Sequence, residues 1–156
     1  MKTLTDTRLL KKYGRFFMKD NSKMVIYFAH PVNTYNTELE KKLIVKIGQV
    51  FPSCFIENPN QGKHQKGYQK WKERTGNGMA YYFAEVLPFC DFGIYLPFRD
   101  GKWGTGVAGE AKFFVLRRNV PLVLTVNVHG DIRLIFFKSI RILSVEETRE
   151  RILLPY

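Results

Sequence analysis

The run Met24-Val-Ile-Tyr-Phe-Ala29 is apolar at every position and stops at His30-Pro31. It limits the possible folds more than any other stretch. A strand with one wet face alternates apolar and polar residues, whereas a continuous apolar run is buried on both faces. That is the habit of parallel sheets covered by helices. Proline cannot continue the ladder, so the chain turns at the C-terminal edge of this strand. In open α/β sheets ligands bind at that edge. His30 is therefore a candidate substrate contact or acid–base group, with a loop histidine that only hydrogen-bonds backbone as the equal alternative.

The rest of the chain continues the pattern. Thr37-Glu-Leu-Glu40 reads as a capping box, and Leu39, Leu43, Ile44 and Ile47 share one face, which predicts a first helix over 38–50. Phe55-Ile-Glu-Asn58 is a second strand closed by Pro59. Met79, Tyr82, Phe83 and Val86 form another helical face, stopped at Pro88. Phe92 to Leu96 is a third strand, and Val120 to Val126 a fourth. Gly130-Asp131 is a turn, residues 132–143 hold one more strand, and Ser144-Val-Glu-Glu147 caps a last helix. The order β-α-β-α-β-α-β-(β)-α predicts a doubly wound, flavodoxin-like α/β fold. It is a three-layer sandwich around a parallel five-stranded sheet of order 2-1-3-4-5, with right-handed crossovers. The ligand crevice then lies near the first and third strands.

A chain of 156 residues suits one domain, here 24–156, preceded by a basic leader over 1–23. In the leader Leu9, Leu10, Tyr13, Phe16 and Phe17 recur at helical spacing. This predicts a helix docked on the domain or on a second subunit, with a basic arm as the alternative. The leader and the aromatic content of 15% point to a homo-oligomer. Cys54 and Cys90 are too few for a disulfide framework and read as free thiols. No signal peptide and no apolar run of about 18 residues occurs, so a cytoplasmic protein without a membrane partner is expected. The net charge of +11 favours anionic partners, meaning nucleotides and, secondarily, nucleic acid. Residues 60–77 interleave Lys63, Lys66, Lys70, Lys72 and Arg74 with His64, Tyr68 and Trp71. Such a segment can hold phosphate and stack Tyr68 or Trp71 on a base; a solvated helix or lid is the alternative.

The chemistry concentrates in Asp91 to Glu110. A strand is followed by a loop holding Gly101, Gly104, Gly106 and Gly109, and then by Glu110, read as the start of a helix that continues through Ala111, Phe113, Phe114 and Leu116. Free N–H groups at such a start suit an anionic or sugar ligand. A carboxylate beside them repels bare phosphate and suits a sugar carbon, which it can attack to form a glycosyl-enzyme. On position alone, a Glu there is more often simply a residue favoured by the helix dipole than a catalytic one. His30, His64 and His129 lack metal-ligand spacing, and no Walker loop or dinucleotide fingerprint is present, so neither metal nor cofactor is expected.

Ile26-Tyr27-Phe28-Ala29 together with Gly104-x-Gly106-x-x-x-Glu110-Ala111 resembles the nucleoside 2-deoxyribosyltransferase family and its nucleotide N-glycoside hydrolase relatives, over about residues 24–125. The resemblance implies that Glu110 is the nucleophile, that Tyr27 orients it by a hydrogen bond, and that Tyr156 contributes to the site. The chain departs from the family in two places: Gly104 stands where the transferases carry an Asp, and Met79 to Phe83 lacks the acid they carry before the third strand. Asp100 is the nearest replacement, with His30 beside it, for protonating the leaving base or activating water. Hydrolysis of a nucleoside 5′-monophosphate then fits the charge better than base exchange. Its phosphate is expected on the backbone of Gly104, Thr105, Gly106 and Val107, or on Lys102 or Arg99. A second, weaker likeness is to cytokinin-type phosphoribohydrolases through Gly104-Thr105, although their Glu follows the Thr at a shorter spacing than Glu110 does.

Overall fold

The computed structural model describes residues 2–3 and 24–156. The leader helix expected through Leu9, Leu10, Tyr13, Phe16 and Phe17 lies outside the described residues. Five strands, β1 Val25–Ala29, β2 Phe55–Glu57, β3 Phe92–Tyr95, β4 Leu122–Val126 and β5 Ile132–Phe136, form one mostly parallel sheet in the order β2-β1-β3-β4-β5. Lys2–Thr3 pairs antiparallel on the outer edge of β5, so this part of the leader is extended rather than helical. Among the described residues four α-helices accompany the sheet: α1 Glu38–Val50, α2 Gly62–Thr75, α3 Thr105–Arg118 and α4 Val145–Ile152. The result is a three-layer α/β fold of flavodoxin-like order.

β1 runs parallel to both β2 and β3, and β3 parallel to β4. β5 departs from the expected all-parallel sheet and is antiparallel to β4. The connection explains it. Only residues 127–131 separate the two strands, and a parallel return needs a crossover of about a dozen residues or more. The Asn127 side chain closes this hairpin by accepting from His129 N at 2.9 Å and Asp131 N at 3.0 Å, while Gly130 takes the positive φ of 87°.

Alternate residues of the strands supply two cores. Ile26, Phe28, Phe92, Ile94, Leu124 and Val126 pack under Leu43 and Ile47 of α1. Tyr27, Ala29, Tyr95 and Val123 face the other way, against Val107, Ala108, Ala111 and Phe114 of α3. Burying each such side chain stabilises by about 1.5–3 kcal/mol, which is why the continuous apolar run of β1 is buried on both sides. α1 begins where its cap places it: Thr37 Oγ1 accepts from Glu40 N at 3.2 Å. The Glu40 carboxylate does not complete the box but accepts from Asn36 N and from Asn60. At Ser144 both halves of the second box are present.

α3 begins earlier than expected. Its N-cap is Gly104 and its first residue Thr105, so Glu110 lies in the second turn rather than at the helix start. Gly106 and Gly109, read from sequence as loop glycines, are helical. They face the preceding segment, where a Cβ at Gly109 or Gly106 would make only ordinary contact, 3.7 Å from the Phe83 ring and 3.8 Å from Met79. That segment is a π-helical turn, Tyr82–Val86, running into a short 3-10 turn at Pro88.

Candidate active site

Val107, Glu110, Ala111 and Phe114 have the spacing of one helical stripe. The apolar members hold that stripe against the sheet and carry Glu110 inward with them, leaving it 6% exposed. On the sheet, Tyr27 projects to the same side and is wholly buried. Its hydroxyl donates to Glu110 Oε1 at 2.7 Å. β1 and α3 thus deliver one residue each to a buried pair, 83 positions apart in the chain.

Burial pushes the Glu110 carboxyl up to about 7, against the opposing pull of the Tyr27 hydrogen bond. The partner is a neutral phenol, so nothing cationic offsets the loss of water. Burial, then the Glu110 charge, drives the Tyr27 phenol well above its ordinary range. Tyr82, whose ring meets Tyr27 edge-on at 6.5 Å, is pushed up to about 12 by burial and next by Glu110. Tyr35 and Tyr95 are raised by burial, with the Glu110 charge as a further cause. All four phenols therefore stay protonated at neutral pH around a carboxyl that is half ionised. A dry carboxylate ringed by neutral aromatic donors can act as a nucleophile or a proton carrier near pH 7.

Tyr68 joins this cluster, its ring 6.5 Å from that of Tyr82. It lies over Gly78, where a Cβ would come within 2.5 Å of the ring. Trp71 is engaged elsewhere, with the Arg74 guanidinium 4.7 Å over its ring.

His30 sits at the end of β1 as expected, but in a network of its own. Its Nδ1 faces Thr34 Oγ1 at 2.7 Å, and because Thr34 donates to Pro31 O, Nδ1 is the donor there. Its Nε2 faces Asn58 Oδ1 at 3.0 Å and Glu40 Oε2 at 3.4 Å. Burial holds His30 below the usual imidazole range, opposed by Asn58 and Glu40. The Tyr35 ring, 4.9 Å away edge-on, connects this network to the phenols around Glu110.

The loop before α3 serves another purpose than the one its residues suggested. Asp100 forms a two-pronged ion pair with Arg151 of α4 at 2.9 and 2.7 Å, and Lys102 lies 4.0 Å away. The Arg151 bond first of all holds Asp100 down at about 2. A carboxyl ionised to that degree cannot protonate a leaving group at neutral pH, which corrects the acid role expected of it. The cradle of Gly104, Thr105 and Gly106 is also partly in use: Thr105 N donates to Thr148 Oγ1 at 3.1 Å, and Thr105 Oγ1 donates to Leu143 O at 2.9 Å. Tyr156 stacks on Phe98, lies under Arg99 and donates to Pro97 O, so its ring buttresses this loop. The fold brings Tyr27, Glu110 and Tyr68 into one neighbourhood and gives Asp100, Lys102 and Tyr156 to another.

Tyr35 and Tyr82 were not anticipated. The inward stripe through Glu110 and the pair Tyr81-Tyr82 beside it were signals for Tyr82; Tyr35 carries no local signal. A cavity of about 10 Å³ between Gly93, Tyr95, Phe114 and Arg118, toward the C-terminal end of α3, has room for one water molecule at most.

Fold and site define a class, a flavodoxin-like α/β domain with a buried Tyr–Glu pair. Comparison with family models, with curated proteins and with solved structures finds no match for the chain. No helix among the described residues is long and apolar enough to cross a membrane, and Cys54 and Cys90 are free thiols.

Proposed function

We propose that the chain cleaves the N-glycosidic bond of a nucleoside or nucleoside 5′-monophosphate through a covalent glycosyl-enzyme on Glu110, passing the sugar to water or to another base. One observation carries this reading: the buried hydrogen bond from Tyr27 to Glu110, made by the two residues that resemble the nucleoside 2-deoxyribosyltransferase pattern. In the proposed cycle the ionised Glu110 attacks the anomeric carbon, Tyr27 holds the attacking carboxylate in place, and the base departs. Glu110 is covered in this structure, so α2, with Tyr68 inward and its lysines outward, is the element that opens to admit substrate and closes over it. A carboxyl near 7 suits the task, because desolvation leaves the ionised form reactive while half of it is already ionised at neutral pH. The reaction as proposed proceeds without a cofactor. The working form is a cytoplasmic homo-oligomer in this reading.

The test is base release, followed by chromatography, from a panel of ribo- and deoxyribonucleosides and their 5′-monophosphates, with and without a second base. Release by the wild type that is absent in Glu110→Ala supports the reading; equal release by both proteins overturns it.

The exposed cations of α2, Lys63, Lys66, Lys70 and Lys72, favour a second reading, a non-catalytic nucleotide- or nucleic-acid-binding module on the same fold. It predicts association with long polynucleotides that weakens steeply with salt, whereas mononucleotide binding by an enzyme depends on salt only modestly.

A further inference from the structure

A second buried carboxylate stands beside the Tyr27–Glu110 pair. Glu57 ends β2 and is in register with Tyr27 of β1. Registered neighbours in parallel strands project to the same face, about 4.8 Å apart at the backbone. Glu57 is 9% exposed and His64, on the inward face of α2, 4%. His64 Nε2 is hydrogen-bonded to Glu57 Oε1, Gln61 Nε2 donates to the same oxygen at 3.2 Å, and the Lys63 ammonium lies 3.5 Å from it on the solvent side. The other imidazole nitrogen, Nδ1, meets the Tyr81 hydroxyl at 2.9 Å. Carboxylate, imidazole and phenol therefore form one line. Tyr82 lies between this line and the first pair, its ring 6.0 Å from His64, 5.2 Å from Tyr81 and 6.5 Å from Tyr27. Gly67 makes room for it: a Cβ there would fall 2.3 Å from the Tyr81 ring. Tyr81 is the outermost member and only half-buried.

We infer that Glu57, His64 and Tyr81 form a proton relay that protonates the departing base, the task left open by Gly104, by the acid-free stretch Met79 to Phe83 and by the ion-paired Asp100. The inference rests on the N-glycoside reading of Glu110. In the first step the bond between the anomeric carbon and the base nitrogen breaks as the bond to a Glu110 oxygen forms. The Tyr81 O–H proton passes to the base, and the Nδ1 proton of the His64 imidazolium replaces it on Tyr81. His64 is left neutral, its Nε2–H still held by Glu57. In the second step water attacks the anomeric carbon and its proton returns along the same line to His64, while the sugar–Glu110 bond breaks and the carboxylate is restored. Tyr81 is the catalytic residue of the relay, and His64 and Glu57 act through it.

The experiment is a single-turnover comparison of two N-glycosides of one sugar, one with a natural base and one with an activated leaving group that departs without protonation. Wild type, Tyr81→Phe and Glu57→Gln are each measured across pH. Tyr81→Phe is expected to lose about 100-fold on the natural base and to keep its rate on the activated one. Glu57→Gln, in which a neutral amide replaces the carboxylate that holds the imidazole, is expected to lose rate on the natural base and to keep it on the activated one. Equal losses by Tyr81→Phe on both substrates, or no loss on either, overturn the relay while the Glu110 reaction stands. No turnover by wild type on either substrate overturns both.

Discussion

Asp100 and Glu110 flank the start of α3, and their environments have little in common. Asp100 lies at the surface against a guanidinium and is held at about 2. Glu110 lies beneath the same helix against a phenol and is pushed up to about 7. A cationic partner favours the charged form and burial disfavours it. The same functional group is thus a permanent anion that ties two segments together in one place and a carboxyl balanced between its two protonation states near neutral pH in the other. The comparison teaches that proximity to the glycine-bearing loop does not set the protonation of an acid; the partner it meets and the depth at which it is buried do.

Replacing Glu110 gives the largest effect. If the proposed reaction is right, base release is expected to fall to background in Glu110→Ala and Glu110→Gln alike. Stability moves the opposite way in Glu110→Gln. The folded-state value of Glu110 lies above its unfolded value of 4.5, so the contribution of the protonated form is full below pH 4.5 and is lost as pH rises through about 7. A shift from 4.5 to about 7 corresponds to roughly 3 kcal/mol. Glu110→Gln should therefore gain up to about 3 kcal/mol over wild type at pH 8 and little at pH 4, read from urea unfolding. An unchanged difference at the two pH values would place Glu110 in water.

Tyr27→Phe comes next. It leaves a buried acceptor without its donor, which costs about 1–3 kcal/mol. It also removes the one influence that lowers Glu110, so the acid limb of the pH–rate profile moves upward. A profile that stays in place would show that the hydrogen bond does not tune the carboxyl.

Asp100→Asn gives the smallest effect, since exposed ion pairs contribute little and are screened by salt. Asp100 is depressed in the folded state, so its contribution is present above its ordinary value of 3.8 and lost as pH falls through about 2. Thermal melts of wild type and variant should differ slightly in dilute buffer and coincide in high salt. A loss of base release as complete as that of the Glu110 variants would erase the distinction between the two acids.

What was legible in the sequence was local. The apolar run of β1, the Thr37 cap and the stripe of Leu39, Leu43 and Ile47 gave α1 its observed bounds of 38–50, and the strand series gave the sheet order. The pairing of Tyr27 with Glu110 was expected from resemblance alone, because no local rule joins residues so far apart. The start of α3 was misread because glycine marks loops when it is seen alone. In the fold Gly106 and Gly109 are helical residues of α3 facing Met79 and Phe83. Asp100 looked available because its partner, Arg151, is 51 residues away. The line from Glu57 through His64 to Tyr81 also joins three separate elements, and only the registration of β2 with β1 puts it next to Tyr27.

The rim of the loop before α3 is built from distant pieces of chain. Thr105 is capped by Thr148, 43 residues on, Asp100 by Arg151, and Trp103 is bridged to Ile142. Closing loops of that length costs entropy before any contact repays it. The Tyr27–Glu110 bond closes a still longer loop, 83 residues, so by loop closure alone the rim forms no later than the buried pair, and a chain that has assembled the pair has already met the cost of tying its C-terminal segment to this loop.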